Sequence, residues 1–294
     1  MNNFIMVTPA KNEEQFLPKV IDSIASSSLI PDIWIIVDDN SSDNTPKILN
    51  EYKNKCPYIE IFTLNEAHPR DLSVHYSYVC NKGFDRAIQL SKEKNVSWDY
   101  IVLLDADTIV SSDYFDGIFE EMNRNERLGI SSGNVHLLKD GKIDYAKIVQ
   151  DIPSGTARVW RRKCFEETGG YMITHAPDSV SRIKAKLKGW DTFRFDKYEA
   201  YQLRETASAS GLWNGYIVTG KSAYYLQKNP ILVFLNSISH ALKKPHYTML
   251  PFLYGYTISI LKRDSQIDDD EIRHYFKYTR LFELASKYIK NILR

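Results

Sequence analysis

Three short apolar runs, Phe4 to Val7, Ile33 to Val37 and Tyr100 to Leu104, each stop at a polar turn rich in Pro, Asp or Asn. Runs this short, dominated by β-branched, aliphatic and aromatic residues, read as buried strands. Stretches of helical period separate them. Parallel neighbours need a crossover long enough to hold a helix, whereas antiparallel neighbours need only a tight turn. The alternation therefore predicts an α/β fold whose mostly parallel sheet is flanked by helices. In such sheets ligands bind beyond the carboxyl ends of the strands, so the residues just after each run are where chemistry is expected.

The first run ends in Thr8-Pro9-Ala10, and Asn12-Glu13-Glu14 precede a helical stretch from Phe16 to Ala25. Asn12 suits an N-cap, and Pro18 falls in the first turn if the helix begins late. The second run stops at Asp38-Asp39-Asn40-Ser41-Ser42-Asp43, after which Thr45-Pro46 opens a helix to about Lys55. A strand from Ile59 to Leu64, a helix from Ser73 to Lys92, and the third run ending in Asp105-Ala106-Asp107-Thr108 follow. A helix after Asp113 and a strand from Gly129 to Val135 lead into an irregular middle, 140–170. Ser179 to Lys188, stopped by Gly189, and the acidic-to-basic segment Asp268 to Leu293 read as helices. With no internal repeat and no low-complexity linker, the simplest division is a catalytic domain over 1–225 and a C-terminal helical extension over 226–294.

Two carboxylates spaced by one residue beyond a buried strand point to the same side of an extended segment, so Asp105 and Asp107 could meet one cation. Mg2+ or Mn2+ takes oxygen ligands, commonly one or two carboxylates plus substrate phosphates, and a nucleotide diphosphate supplies those phosphates. Taken singly, Asp105 and Asp107 fit a helix cap or turn as well as a site, and Asp38 and Asp39, followed by Asn40 and Ser41, fit a solvated turn better, because Asp caps helices and shapes turns. The coincidence of Pro9, Asp38-Asp39 and Asp105-x-Asp107 at three strand ends favours a site.

These motifs resemble those of the family 2 glycosyltransferases of GT-A (Rossmann-like) fold: Pro9-Ala10-Lys11-Asn12-Glu13, then Val37-Asp38-Asp39-Asn40-Ser41-Ser42-Asp43, then Asp105-Ala106-Asp107. Asn81-x-Gly83-x-x-x-Ala87 resembles the family's donor-side helix, and Arg161-Arg162 with Gly169-Gly170-Tyr171 its acceptor-side signature. The resemblance covers about the first two-thirds of the chain. It implies transfer of a sugar from a nucleotide-diphospho-sugar, UDP-linked as the first choice, to the hydroxyl of a carbohydrate or lipid-linked acceptor. Pro9, Lys11, Glu13 and Asp39 would line the nucleoside pocket, with Thr8, Ala10, Lys82 and Ala106 beside them. Asp105 would reach the ribose, and Asp107, with Asp105, would hold the metal. Lys11 stands where the family usually has an aromatic residue, so a charged contact replaces stacking on the base. The Q-x-x-R-W motif of processive members is absent, which points to single transfer.

Inversion at the anomeric carbon needs a carboxylate that takes the acceptor proton, on a segment distinct from the metal loop. Asp178, in His175-Ala176-Pro177-Asp178 at a helix start, stands about where the family has a Glu-Asp pair. Its competing role is an N-cap. His175 stays outside this assignment, as a lone His beside a turn is commonly an ordinary surface residue. Of Arg158, Arg161, Arg162, Arg182 and Arg204, one or two are expected to reach phosphate and the rest to be structural or solvated.

A formal net charge of +1 excludes a protein that works by coating nucleic acid. Cys56, Cys80 and Cys164 are odd in number and widely spaced, which fits a reducing cytoplasm, and the start lacks the basic head and long apolar stretch of a signal peptide. Lys243 to Arg263 is apolar nearly all round but short for a bilayer span; a buried helix and an interfacial anchor at the inner face of the membrane both fit. The rivals are a sugar nucleotidyltransferase, disfavoured by the lack of glycine after the first strand, and a non-catalytic nucleotide-sugar-binding protein.

Overall fold

The computed structural model describes residues 2–65, 74–139, 141–144, 150–204 and 211–292, apart from the side chains of 139 and 287–292. Ser73 and Leu293, named above as helix limits, lie outside the described residues. The first half follows the expected order: β1 (Phe4–Ala10), α1 (Leu17–Ala25), β2 (Ile33–Asp38), α2 (Thr45–Lys55), β3 (Ile59–Thr63), α3 (Val74–Glu93) and β4 (Tyr100–Leu103). Then come β5 (Thr108–Val110), α4 (Tyr114–Arg124), β6 (Leu128–Lys139), β7 (Lys142–Asp144), β8 (Arg158–Arg161), α5 (Arg162–Glu167), α6 (Pro177–Leu187) and β9 (Asp191–Gln202).

The strands lie in the order β3-β2-β1-β4-β8-β6-β9-β5, with β7 beside β6. The four strands that carry or adjoin the motif ends are parallel, as are β6 and β9. Strand β8 joins the two parallel groups by antiparallel pairing to β4 and β6. Alternation along the strands splits the core between the two faces. Phe4, Met6, Trp34, Ile36, Tyr100 and Val102 pack with α1 and α4. Ile5, Val7, Ile35, Val37, Ile101 and Leu103 pack with α3 and with Trp160 and Phe165. This two-faced burial is why the runs read as continuous apolar stretches.

The chain forms two compact units. The first holds the sheet and helices α1 to α6. The second gathers α7 (Leu212–Tyr225), α8 (Pro230–Leu242), α9 (Met249–Lys262), α10 (Asp270–His274) and, after a π-helical turn at Tyr275–Thr279, α11 (Arg280–Ile292). Helix α7, placed by sequence in the 1–225 span, thus groups with the C-terminal helices. The reason is a shared core of Ala223, Val233 and Phe252, bordered by Tyr216, Leu253 and Tyr256.

Candidate active site

The loops after β1 and β2 are laced together. Ser41 Oγ accepts from the amide of Asn12, and the Asn12 side-chain oxygen accepts from the amide of Ser42. Thr45 accepts from the amide of Glu13, and Glu14 accepts from the amide and side chain of Asn44. Asn12 adopts φ 54°, a left-handed conformation that Asn tolerates better than most residues. It is therefore no N-cap: α1 begins later, capped at Phe16 without a side-chain bond, with Pro18 in its first turn. Its side chain serves the neighbouring loop instead.

Between these loops sits Asp39, 4% exposed. Lys11 Nζ donates to its carboxylate at 3.0 Å and to its carbonyl at 2.8 Å. From the start of α3, His75 Nε2 lies 3.0 Å from both carboxylate oxygens. Tyr78 stacks on His75 with ring centroids 6.0 Å apart, and Lys82 lies over Tyr78. Helix α3 can approach this closely because a Cβ on Gly83 would fall 2.4 Å from Val7 and 2.7 Å from Val37. Gly83 in the Asn81-x-Gly83-x-x-x-Ala87 pattern thus serves helix–sheet packing, and Asn81 donates to the carbonyl of Tyr171.

Asp105 and Asp107 follow β4. Tyr76 donates to Asp105 Oδ1 at 2.6 Å, and Thr156 Oγ1 accepts from the Asp105 amide. Burial pushes the Asp105 carboxyl up to about 7, and the charges of Asp107 and Asp178 add to it. Arg204, two residues beyond β9, donates to Asp107 Oδ2 at 2.7 Å and to both oxygens of Glu13 at 2.9 and 3.3 Å. Burial opposes the guanidinium charge, and the hydrogen bonds and charges of Glu13 and Asp107 outweigh it, raising its pKa. The amide of Leu203 donates to the Asp107 carbonyl, so the backbone beside Arg204 is tied to the acidic loop.

Asp178 lies in the first turn of α6, which begins at Pro177, so it is inside the helix and not its N-cap. Tyr171 donates to its Oδ1 at 3.4 Å, Arg158 Nη1 stands 3.6 Å away, and the same guanidinium donates to the Asp178 carbonyl. Arg158 is 2% exposed and also donates to the carbonyls of Pro153 and Ser154. It is a structural clamp on the loop facing Asp178. Asp178 Oδ2 lies against Gly155, and the next residue, Thr156, accepts from the Asp105 amide, so the two carboxylates, from separate segments, border the same loop.

The sequence pattern of Glycosyl transferase family 2 matches residues 5–177, more than half of the chain. The chain belongs to glycosyl transferase family 2. Poly-β-1,6-N-acetyl-D-glucosamine synthase of Staphylococcus epidermidis is 29% identical over 145 residues, which are 47% of this chain and 31% of that protein. The Staphylococcus aureus (strain COL) synthase is 22% identical over 272 residues, 85% of this chain and 60% of its own length. The chain thus spans only part of the length of these curated relatives. Among solved structures, S. aureus TarS with UDP-GlcNAc aligns over 96% of this chain and 75% of that one, at 14% identity and TM-score 0.54. The Pyrobaculum calidifontis mannosyltransferase PcManGT, in complex with GDP-Man and Mn2+, aligns over 97% and 80%, at 12% identity and TM-score 0.56. The fold is that of GT-A glycosyltransferases, and the protein is a glycosyltransferase.

In this family 2 transferase the fold brings Lys11, Glu13, Asp39, Asp105 and Asp107 to the carboxyl ends of β1, β2 and β4, with Pro9 half-buried at the end of β1. Ala10 and Ala106 are buried beside them. Thr8 is differently placed: it is fully buried and accepts the indole N–H of Trp34 at 2.9 Å. Lys82 lies along α3, where its contact is Tyr78. Of the five arginines, Arg204 reaches the acids, Arg158 clamps the loop at Asp178, Arg161 donates to carbonyls near α4, and Arg162 pairs with Glu166. His175 packs against Tyr225 with ring centroids 4.8 Å apart. His75, Tyr76 and Thr156 are site residues that sequence reasoning missed, because no spacing signal marks a polar side chain in a helix start or a loop.

Proposed function

We propose that this glycosyltransferase moves a single sugar from a UDP-linked donor, with UDP-GlcNAc the first candidate, to the hydroxyl of a carbohydrate or lipid-linked acceptor, with inversion. The observation that carries the reading is the gathering of Asp39, the Asp105-x-Asp107 pair and Asp178, from three segments, around the loops at one end of the sheet. Relatives named for N-acetylglucosamine polymer synthesis and a neighbour solved with UDP-GlcNAc support the donor class. The missing Q-x-x-R-W motif supports single transfer.

Asp39, held by Lys11 and His75, would receive the nucleoside, and Asp105 the ribose. The acceptor oxygen forms its bond to the anomeric carbon as the bond from that carbon to the diphosphate oxygen breaks. The bonding electron pair leaves with the nucleoside diphosphate, and Asp178 takes the acceptor proton. Tyr171 and Arg158 hold the Asp178 carboxyl in place. The donor set suits Mn2+ or Mg2+: two carboxylates, Asp107 buried and Asp105 half-buried with its pKa raised in part by Asp107, form an oxygen-rich, charge-crowded pair. No group of three or more His, Cys, Asp or Glu suited to a metal occurs among the described residues, so the donor's phosphates would complete the shell. A bound cation would offset the charge that develops on the diphosphate. We also place the enzyme in the cytoplasm at the inner face of the membrane; no described helix is long and apolar enough to cross one.

Calorimetric titration with UDP, GDP and TDP, each with and without Mn2+, tests the donor site. Tight binding of UDP that requires Mn2+ and is lost in Asp107→Ala is the expected result. Metal-independent binding, or binding retained in Asp107→Ala, would sink the assignment.

A further inference from the structure

We infer that the outward face of helix α8 docks onto an anionic lipid bilayer. This deepens the reading of the enzyme as membrane-peripheral and is independent of the donor chemistry. Ile30, Ile143, Ile173 and Leu187 aside, every large apolar side chain that stands exposed among the described residues lies in the C-terminal unit. On α8 these form one stripe: Ile231, Phe234, Leu235, Ile238 and Leu242, at helical spacing i, i+3, i+4, i+7 and i+11. Phe234 is 63% and Leu242 76% exposed. The opposite face is also committed to apolar packing, since Leu232, Val233 and Ser237 are buried there.

A surface helix of a water-soluble domain buries one stripe and turns a polar one outward. Helix α8 does not, and a continuous exposed apolar stripe marks an interaction surface. Charge selects the occupant. From Gly211 to Arg263 the sequence contains no Asp or Glu. Lys243 and Lys244, directly after α8, are exposed, as are Lys221, Lys262 and Arg263. An apolar face beside exposed cations matches the boundary between acyl chains and anionic headgroups, where apolar area and lysine charge act together. A second copy of the chain would suit it less well, because a two-fold contact presents each patch to itself and brings like charges together.

The test is flotation of the full chain with vesicles of phosphatidylcholine containing roughly one-third phosphatidylglycerol, against vesicles of phosphatidylcholine alone. The wild-type chain should float with the anionic vesicles and only weakly with the neutral ones. Replacing Lys243 and Lys244 with Gln together should lower the anionic partition coefficient roughly thirtyfold. Phe234→Ser with Leu235→Ser should lower it by about tenfold or more. Both pairs are exposed, so the folded circular dichroism and the UDP titration should stay at wild type, which separates loss of lipid binding from loss of the donor site. No flotation of the wild type, or flotation unaffected by either pair, overturns the inference. So does light scattering that finds a dimer which Phe234→Ser with Leu235→Ser dissociates, without flotation; that result assigns the face to a second copy.

Discussion

Gly155→Ala separates the catalytic base from the donor site. A Cβ at this position would stand 2.4 Å from Asp178 Oδ2 and 3.1 Å from its Cγ. An ordinary carbon–oxygen contact needs about 1 Å more, so the carboxylate must give way by about that distance. Gly155 shows no left-handed backbone that would bar alanine, and the atom in the way is the end of a short side chain. The substitution should therefore move the melting temperature by less than about 2 °C. A misplacement of about 1 Å can cost a reaction on the order of a hundredfold, and a general base contributes about 10²–10⁴. UDP release from UDP-GlcNAc, with water standing in for the acceptor, should thus fall about a hundredfold in kcat. Mn2+-dependent UDP affinity should hold, because Asp39 and Asp107 are untouched. That control matters because Thr156, next along the chain, binds the Asp105 amide. Asp178→Asn should lose at least as much activity. Turnover of Gly155→Ala at the wild-type rate would refute Asp178 as the base.

Arg204→Met leaves Glu13 and Asp107, both nearly buried, without their shared cation, and removing one partner of a buried pair costs roughly 3 kcal/mol. Melting in chelator should drop by roughly 5–10 °C, and Mn2+ should restore more stability to the variant than to the wild type, as the cation no longer competes with the guanidinium for Asp107; equal Mn2+ gains in both would argue against a cation at Asp107. The folded pKa of Asp105, raised to about 7 from its ordinary 3.8, gives stability that is full below about pH 4 and is lost as pH rises through about 7. The melting temperature of the metal-free protein should therefore carry a decline over that window that Asp105→Asn removes; an identical profile in the variant would show that another group sets it. His75→Ala should weaken UDP binding about tenfold, as expected for one charge-assisted contact to a nucleoside-binding carboxylate, and unchanged affinity would place Asp39 outside the pocket.

The parallel half of the sheet was legible because burial on both faces makes its strands uninterrupted apolar runs with acids at their ends. Strand β9 was not. Its sequence, Asp191 to Gln202, mixes Arg194, Asp196, Lys197 and Glu199 with aromatics, and its pairing with β6 shifts register twice, so no period of two survives. Helices α7 and α8 escaped for the opposite reason: apolar residues all round leave no period to read. At the site, motif spacing found the strand-end acids but could not rank five arginines. Arg204 stands out only once β9 pairs with β5 and returns the chain to the Asp107 loop, a contact nearly a hundred residues long in sequence. Asn12 was misassigned because the competing partner, Ser41 and Ser42 on the next loop, lies beyond any local window.

The lacing of the two loops after β1 and β2 has a consequence for how the pocket would meet its ligand. Four cross-connections, at Asn12, Glu13, Glu14 and their partners, fix the floor of the proposed nucleoside site during folding. The entropy of ordering those loops is then spent before any ligand arrives, which favours tight capture of a small, polar ligand. The same ties make the two loops one cooperative unit. The amides of Asn12, Glu13, Ser42 and Asn44 should exchange with solvent together, and a substitution that frees one loop should loosen the other.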